Sequence, residues 1–155
     1  AVIQATGANP LARAWQGDGI LRPVRAQTIA TAIKIGNPVS FPKSMRGLRA
    51  TNGIVVSVTD EEILHAKAKV DAAGIGAEPA SCATVAGVRK LVSDGVISPN
   101  DNVVGILTGH VLKDPEIVVD YHMKGQVQEM RATEANPPVR TKATLADIKS
   151  ALSIT

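Results

Sequence analysis

Aromatic side chains are scarce in this sequence. Trp15, Phe41 and Tyr121 are the only ones, 2% of the 155 residues. The core must therefore be built from Val, Ile, Leu and Ala, and platforms that stack nucleic-acid bases or sugars are not expected. The net charge is +3, but the lysines and arginines are scattered along the chain. A solvated surface explains them better than a nucleic-acid-binding patch does.

Cysteine and long apolar runs are also lacking. Cys82 is the single cysteine, so an internal disulfide is excluded and a reducing, cytoplasmic location is expected. No apolar run approaches the roughly 18 residues that a membrane span requires, and there is no signal-peptide pattern. The chain begins without methionine, at residues that already read as a strand, from which we expect a fragment of a longer protein.

Common metal-binding and catalytic motifs are absent as well. His65, His110 and His122 have no cysteine or carboxylate at metal-ligand spacing, so no metal is expected. Residues 17–19 contain two glycines, but a dinucleotide-binding loop has a third glycine and is followed by a helix, and both are missing here. Cys82 lacks the flanking glycines of a nucleophile elbow, which favours a packed, unreactive side chain.

What the sequence does contain is a regular alternation of strands and helices. Apolar residues make up 45% and charged residues 20% of the chain, which is typical of one globular domain. Strands are predicted at residues 1–5, 54–58, 75–78 and 102–108, and helices at residues 11–16, 60–73 and 80–94, with another ending near residue 49. The strands read as continuous Val and Ile runs, which is typical of a parallel sheet covered on both faces. We therefore predict a three-layer α/β fold in which helices flank a mostly parallel sheet.

The two long helices carry apolar residues at helical spacing. Thr59 and Glu62 have the spacing of a capping box, which starts the first of these helices. Its predicted buried stripe consists of Ile63, Ala66 and Val70. The second helix is predicted to bury Val85, Val88 and Val92.

The last part of the chain is less regular. Residues 117–119 fit either a strand or a helix, and residues 125–138 read as a surface connection. Thr144 and Asp147 have the spacing of a cap for a last short helix. The apolar residues of that helix, Leu145, Ile148 and Leu152, are predicted to face inward.

Polar residues close two of the predicted strands, where ligands of open parallel sheets bind. Glu78 comes directly before Pro79, and Thr108 comes directly before Gly109. Glu78 fits a ligand contact, or an acid at the entry of the next helix, where the helix amides favour negative charge. Taken alone, Glu78 and Thr108 are each more simply explained as structural residues.

Four stretches change that interpretation when they are taken together. They are "TIATAIKIGNP" (28–38), "VSVTDEEIL" (56–64), "EPASCATVAGVRKL" (78–91) and "ILTGHVLKDP" (106–115). In this order they resemble the C-terminal part of the threonine synthase family, pyridoxal-phosphate enzymes of the tryptophan-synthase-like fold. "EPAS" also resembles threonine and serine dehydratases, so the first and last stretches together are the more specific signal.

The resemblance implies a pyridoxal-phosphate-dependent lyase that converts O-phosphohomoserine and water into threonine and phosphate. It implies that Thr108 faces the ring nitrogen of the cofactor and that Glu78 lines the same pocket. Ala32 and Ile33 match a small-residue segment that passes along the ring, although tight packing explains them almost as well. Residues 1–116 would form the C-terminal segment of the large, cofactor-binding domain, and residues 117–155 an extension packed on it.

The resemblance also implies that essential parts lie elsewhere. In that family the lysine that binds the cofactor covalently and the loop that holds its phosphate belong to an N-terminal segment. No lysine of this chain stands in a matching context, so we expect no catalytic residue here and neither activity nor cofactor binding by the chain alone. The N-terminal half of the same protein is the expected partner. Self-association is also expected, because a sheet without its remaining strands exposes its edges.

A stand-alone, non-catalytic α/β domain that binds a ligand or regulates a partner is the alternative hypothesis. A reading frame that continues upstream into a lysine-bearing segment would distinguish the fragment from such a domain. Thr108, Glu78 and Ala32 retain the pattern of the enzyme, which a purely structural domain need not keep. These residues therefore favour the hypothesis that the chain is a fragment of the enzyme.

Overall fold

The computed structural model describes residues 1–154, which form an α/β fold built of short strands and helices. The elements in chain order are β1 (Val2–Ala5), α1 (Pro10–Gln16), α2 (Phe41–Ala50), β2 (Val55–Val58), α3 (Asp60–Ala72), α4 (Pro79–Ser93), α5 (Pro115–Lys124), β3 (Gln126–Val127), β4 (Met130–Arg131) and α6 (Leu145–Ala151). The strands and helices predicted up to residue 73 are confirmed, with ends that differ by a few residues. Within residues 1–154 no helix has the length and apolar character needed to cross a membrane.

The sheet at the centre of the fold pairs β1 and β2 in parallel, with Val2 opposite Val55 and Ala5 opposite Val58. Successive side chains of a strand point to opposite faces. Ala5 and Val58 accordingly pack into one core with α3 and α4, whereas Val2 and Val55 pack into another with α1 and α2. Helices thus cover both faces of a parallel sheet, and the predicted three-layer α/β arrangement is confirmed.

Helix α3 begins with the predicted capping box. The Glu62 amide donates to the Thr59 hydroxyl (3.1 Å), and the Thr59 amide donates to the Glu62 carboxylate (2.6 Å). These bonds satisfy two amides that a helix start otherwise leaves free. The predicted stripe of Ile63, Ala66 and Val70 is buried, so the start of this helix and its inward face are both confirmed.

Helix α4 packs through smaller side chains than the predicted valines. Val85 and Val88 are only half-buried and Val92 is exposed, so the predicted burial of Val92 is wrong. The buried residues are Pro79, Ala80, Ser81, Cys82, Ala83, Ala86, Gly87 and Leu91. A Cβ atom on Gly87 would lie 2.4 Å from the Cδ1 atom of Ile3. Because α4 lies this close to the sheet, the face of α4 that carries small residues is the one that points inward.

The strand predicted at residues 102–108 does not form. Val104 is 89% exposed and Ile106 is 70% exposed. The segment is tied to α4 by the Thr84 hydroxyl, which donates to the Ile106 carbonyl (3.2 Å). No strand among residues 1–154 pairs with it, and an apolar run becomes a buried strand only when neighbouring strands take up its backbone hydrogen bonds.

The strand predicted at residues 75–78 is also wrong, since it is reduced to a single antiparallel bridge between Ala77 and His110. In this bridge the Glu78 amide donates to the Gly109 carbonyl (3.0 Å), and the Val111 amide donates to the Gly76 carbonyl (3.1 Å). The pairing cannot continue, because Pro79 starts α4 at the next residue and has no N–H to donate.

In the C-terminal region the structure decides one open choice and differs from one prediction. The open choice at residues 117–119 resolves to helix, as part of α5. Residues 125–138, predicted as a surface connection, contain the antiparallel hairpin of β3 and β4. Tyr121 and Val127 are buried in the core that also contains α3 and α4, so this region is attached to the main body.

Helix α6 begins at the predicted cap but does not bury its predicted stripe. The Asp147 amide donates to the Thr144 hydroxyl (3.2 Å). Leu145, Ile148 and Leu152 are nevertheless exposed, so the predicted inward orientation is wrong. An apolar stripe is buried only where a second element meets it, and in the described part of the chain α6 has no buried residue.

Candidate functional site

Glu78 stands at the N-cap position of α4, directly before Pro79, and is only 1% exposed. Its carboxylate makes no cap hydrogen bond to the helix amides, which argues against the structural explanation as a helix-entry acid. Oε1 accepts a bond from the Lys113 ammonium (3.4 Å). Oε2 is buried and has no hydrogen-bond partner among the described residues. Such an oxygen costs stability unless a donor reaches it.

Ser81, one helical turn after Glu78, connects that turn to Thr108 and Gly109. Its hydroxyl oxygen accepts a bond from the Gly109 amide (2.8 Å). The same oxygen lies 3.4 Å from the Thr108 hydroxyl and 3.4 Å from the Gly109 carbonyl. Ser81 is buried, whereas Thr108 is exposed. The structure therefore brings Glu78 and Thr108, both predicted site residues, to the first turn of α4.

Gly109 allows these groups to lie close together. A Cβ atom on Gly109 would lie 1.7 Å from Oε1 of Glu78, a distance that no side chain can keep. Any larger residue would have to displace the carboxylate or the segment. The glycine that follows Thr108 is thus a packing requirement of the site.

Ala32 and Ile33 lie in the short 3₁₀ turn Thr31–Ile33, which packs against α4. Ala32 is exposed, while Ile33 packs partly against the core that contains α3 and α4. The segment before the turn is held by Asp60, whose carboxylate accepts bonds from the Ile29 amide (3.1 Å) and the Thr28 hydroxyl. The turn is therefore fixed in place beside α4.

Thr31 joins this turn to the segment that follows the site. Its hydroxyl donates to the Asp114 carboxylate (2.8 Å), and Asp114 is the neighbour of Lys113. No hydrogen bond within residues 1–154 joins Ala32 or Ile33 directly to the side chains of Glu78 or Thr108. The structure thus brings the four predicted residues to one region of α4, but only Glu78 and Thr108 are linked by a continuous set of contacts.

Ser81 and Lys113 are site residues that the sequence reasoning missed. The sequence could have indicated Ser81, because a residue three positions after Glu78 lies on the same side of the helix. The bond from Lys113 could not be recognised from the sequence, because the two partners are 35 residues apart. Cys82, which follows Ser81, is buried, and burial raises the pKa of its thiol to about 11. This fits the predicted packed, unreactive side chain.

Comparisons with known proteins show which family the chain belongs to. A family model described as pyridoxal-phosphate dependent enzyme matches residues 1–109. Threonine synthase from Methanosarcina acetivorans is 50% identical over 123 residues, which are 76% of this chain and 30% of the relative. Threonine synthase 2, chloroplastic, from Arabidopsis thaliana is 37% identical over 152 residues, which are 96% of this chain and 29% of the relative.

A solved structure shows the same fold. The crystal structure of threonine synthase from Escherichia coli has a TM-score of 0.57 and 19% sequence identity, and the match covers 97% of this chain and 36% of that chain. The chain spans about 30% of the length of the curated relatives that it matches. Because the family model covers more than half of its residues, the chain belongs to the pyridoxal-phosphate dependent enzymes.

Proposed function

We propose that this chain is part of a threonine synthase, a lyase that converts O-phosphohomoserine and water into threonine and phosphate. The observation that carries the proposal is the meeting of Glu78, Ser81 and Thr108 at the first turn of α4. Similarity to threonine synthases over most of the chain supports the same assignment. A stand-alone binding domain is not favoured, because relatives that match most of this chain are threonine synthases.

The chemistry of these residues fits pyridoxal phosphate. Thr108 is exposed and carries a hydroxyl, which is a neutral partner for a pyridine nitrogen. The Ser81 hydroxyl accepts from the Gly109 amide and lies within donating distance of the Gly109 carbonyl and the Thr108 hydroxyl. With Ser81 as the donor in either contact, the Thr108 hydrogen is available for a ligand acceptor. Oε2 of Glu78 has no hydrogen-bond partner among the described residues, so the carboxylate can still accept one more bond. Gly109 adds no side chain that would crowd the ring.

When bound, pyridoxal phosphate supplies an electron sink for carbanions formed on the amino-acid substrate. The role of Thr108 in that site is to hold the ring nitrogen through a neutral hydroxyl, which favours the unprotonated ring. Glu78 lines the pocket as a fixed acceptor, supported by Lys113. Ala32 and Ile33 form a small-residue wall that lets the substrate lie close.

Other parts of the enzyme complete the site in this proposal. Residues 1–116 belong to the large, cofactor-binding domain, and residues 117–155 form an extension on it, as the burial of Tyr121 and Val127 supports. The covalent lysine and the phosphate loop come from the N-terminal half of the protein. The chain by itself is then inactive and does not retain the cofactor. We place the enzyme in the cytoplasm, since the single cysteine of this chain is free.

Replacing Thr108 by valine in the complete enzyme tests the proposal. The change keeps the shape and removes the hydroxyl, so the cofactor should still bind. Turnover of O-phosphohomoserine should fall about tenfold, as the loss of one ordinary hydrogen bond of about 1.4 kcal/mol implies. Phosphate release measures turnover, and the visible absorption of the bound cofactor measures its occupancy.

Thr84→Val is the matched control for this test. Thr84 also bonds to the 102–108 segment, through the Ile106 carbonyl, but it is not one of the proposed site residues. The control should retain the turnover of the parent enzyme. Unchanged turnover in Thr108→Val, or an equal fall in both variants, would mean that the Thr108 hydroxyl does not face the ring.

A further inference from the structure

Lys67 is a charged side chain in the interior of the molecule, 2% exposed. It extends from α3 and donates to both carboxylate oxygens of Asp71 (3.0 Å each) and to the Ala77 carbonyl (2.9 Å). An ammonium has three N–H groups, and these three acceptors use all of them. A buried lysine is costly unless it is paired and hydrogen-bonded. The Lys67 contacts meet that requirement completely.

His122 of α5 holds Asp71 from the other side. Its Nδ1 atom accepts a bond from the Asn136 amide (2.9 Å). In a neutral ring the hydrogen must then be on Nε2, which lies 3.2 Å from Oδ2 of Asp71 and donates to it. Asp71 is therefore fixed by two donors, and it fixes Lys67 in turn.

The bond to the Ala77 carbonyl connects this network to the candidate site. That carbonyl belongs to the peptide group that joins Ala77 to Glu78. The amide of the same peptide group donates to the Gly109 carbonyl (3.0 Å). Because a peptide group is planar, bonds at both of its edges prevent its rotation. Rotation would turn the Glu78 side chain and release Gly109, the neighbour of Thr108.

We propose that Lys67 is a positioning residue for the site at the first turn of α4. It clamps the Ala77–Glu78 peptide group, and this clamp keeps Glu78 and Thr108 in their relative places. Asp71 and His122 orient Lys67. The consequence for turnover rests on the proposed function, whereas the clamp itself rests only on the hydrogen bonds described above.

A double substitution in the full-length protein separates positioning from stability. Lys67→Met alone leaves Asp71 without its buried counter-charge, so a loss of stability is expected. Lys67→Met combined with Asp71→Asn removes both charges and keeps an oxygen that accepts from His122. The double variant should recover much of the stability, while the Ala77 carbonyl loses the Lys67 donor and keeps only the weak bond from the Cys82 thiol (4.0 Å). Lys69→Met is the matched control, because exposed Lys69 on the same helix pairs only with Glu134 (2.9 Å) among the described acids.

The first measurement is hydrogen exchange of the two amides in the bridge between Ala77 and His110, made without added cofactor. In the double variant, the amides of Glu78 and Val111 should exchange about tenfold faster than in the parent, relative to the rest of α4. They should not change in Lys69→Met. Unchanged exchange of these two amides in a folded double variant would overturn the clamp.

If the double variant does not fold, the single variant Asp71→Asn is measured instead. This change removes the negative charge that orients Lys67 and so weakens the bond from Lys67 to the Ala77 carbonyl. The Glu78 and Val111 amides should then exchange faster relative to the rest of α4, and unchanged protection of both amides in the folded variant would overturn the clamp.

Kinetics of the complete enzyme with pyridoxal phosphate is the second reading. For the double variant we expect kcat to fall about tenfold with little change in KM, and the visible absorption of the bound cofactor to shift. Faster amide exchange with an unchanged kcat would show a clamp that does not serve the site, and would overturn the positioning role. If the parent enzyme does not act on O-phosphohomoserine, the proposed function fails, and the amide exchange still decides whether the clamp exists.

Discussion

Residues 55–93 and residues 96–107 carry the same branched apolar side chains, but only the first region buries most of them. In the first region the buried large side chains are Val55, Val58, Ile63, Leu64, Val70 and Leu91. In the second region the exposed ones are Val96, Val103, Val104 and Ile106. The first region contains β2 and the helices α3 and α4, which pack on one another, whereas the second lies along α4 without a neighbouring strand.

The difference between the two regions shows that apolar character alone does not determine burial. Burial stabilises a side chain by about 25 cal/mol for each Å² of apolar surface that is removed from water. That stabilisation requires a second surface, which α4 and the sheet supply to α3.

The largest expected effect comes from making the same substitution in both regions of this chain. Ile63 is 0% exposed and Ile106 is 70% exposed. Ile63→Ala should lower the free energy of unfolding by about 2–5 kcal/mol, because it leaves a cavity in the core. Ile106→Ala should change it by no more than about 0.5 kcal/mol. Urea unfolding measures both, and equal losses would show that Ile106 is buried in solution.

Substitutions of two glycines are expected to change stability by an intermediate amount. Gly109→Ala should destabilise the protein by about 1–3 kcal/mol, because the added Cβ atom overlaps the Glu78 carboxylate. Gly47→Ala, inside α2, should instead stabilise it by about 0.5–1 kcal/mol, since nothing lies within 4 Å of the new atom and alanine favours helix. Thermal unfolding of both variants checks the opposite signs. A stable Gly109→Ala protein would mean that Glu78 is not held beside residue 109.

Self-association of the chain is expected to depend on the exposed 96–107 region. Ile106→Glu places a charge on that surface and should lower the association constant about tenfold, equivalent to about 1.4 kcal/mol. Val39→Glu is the control, because Val39 is 98% exposed and is not part of that segment. Light scattering over a range of concentrations measures the effect. If both changes have equal effects, net charge rather than this surface controls association.

The smallest expected effect concerns an exposed ion pair, which contrasts with the buried pair of Lys67 and Asp71. The hydrogen bond from Arg22 is the largest of the effects that lower the pKa of Asp18 from 3.8 to about 2. Arg22→Ala should raise that pKa part of the way back, because the Ile20 amide still donates to Asp18 (3.1 Å). An NMR titration of the Asp18 carboxyl checks this, and an unchanged titration would show that the pair does not persist in solution.

The sign of the pH effect follows from the lowered pKa. A carboxyl that is more acidic in the folded protein contributes stability above its unfolded pKa, near 3.8, and loses that contribution as the pH falls towards 2. The pair is fully exposed to solvent, so its contribution is small. Arg22→Ala should therefore lower stability slightly at neutral pH, and its difference from the parent protein should vanish as the pH falls from about 3.8 towards 2.

Part of the candidate site could be predicted from the sequence. The resemblance indicated Glu78 and Thr108, and the structure links them through Ser81. Ser81 and Lys113 were not predicted as site residues, because their roles depend on bonds between distant parts of the chain. Ala32 and Ile33 lie near α4 as expected, but their proposed contact with the cofactor stays a prediction.

The sequence by itself determined the caps that start α3 and α6, the order of strands and helices up to residue 73, and the family. The capping box of Thr59 and Glu62 illustrates the reason, because its two bonds join residues three positions apart and form wherever that helix forms. Only the tertiary structure decided that Lys67 is buried, that residues 102–108 form no strand and that α6 leaves its stripe exposed. The bond of His122 to Asp71 joins residues 51 positions apart. Contacts of this kind exist only after packing has brought two surfaces together, and no local pattern of residues contains that information.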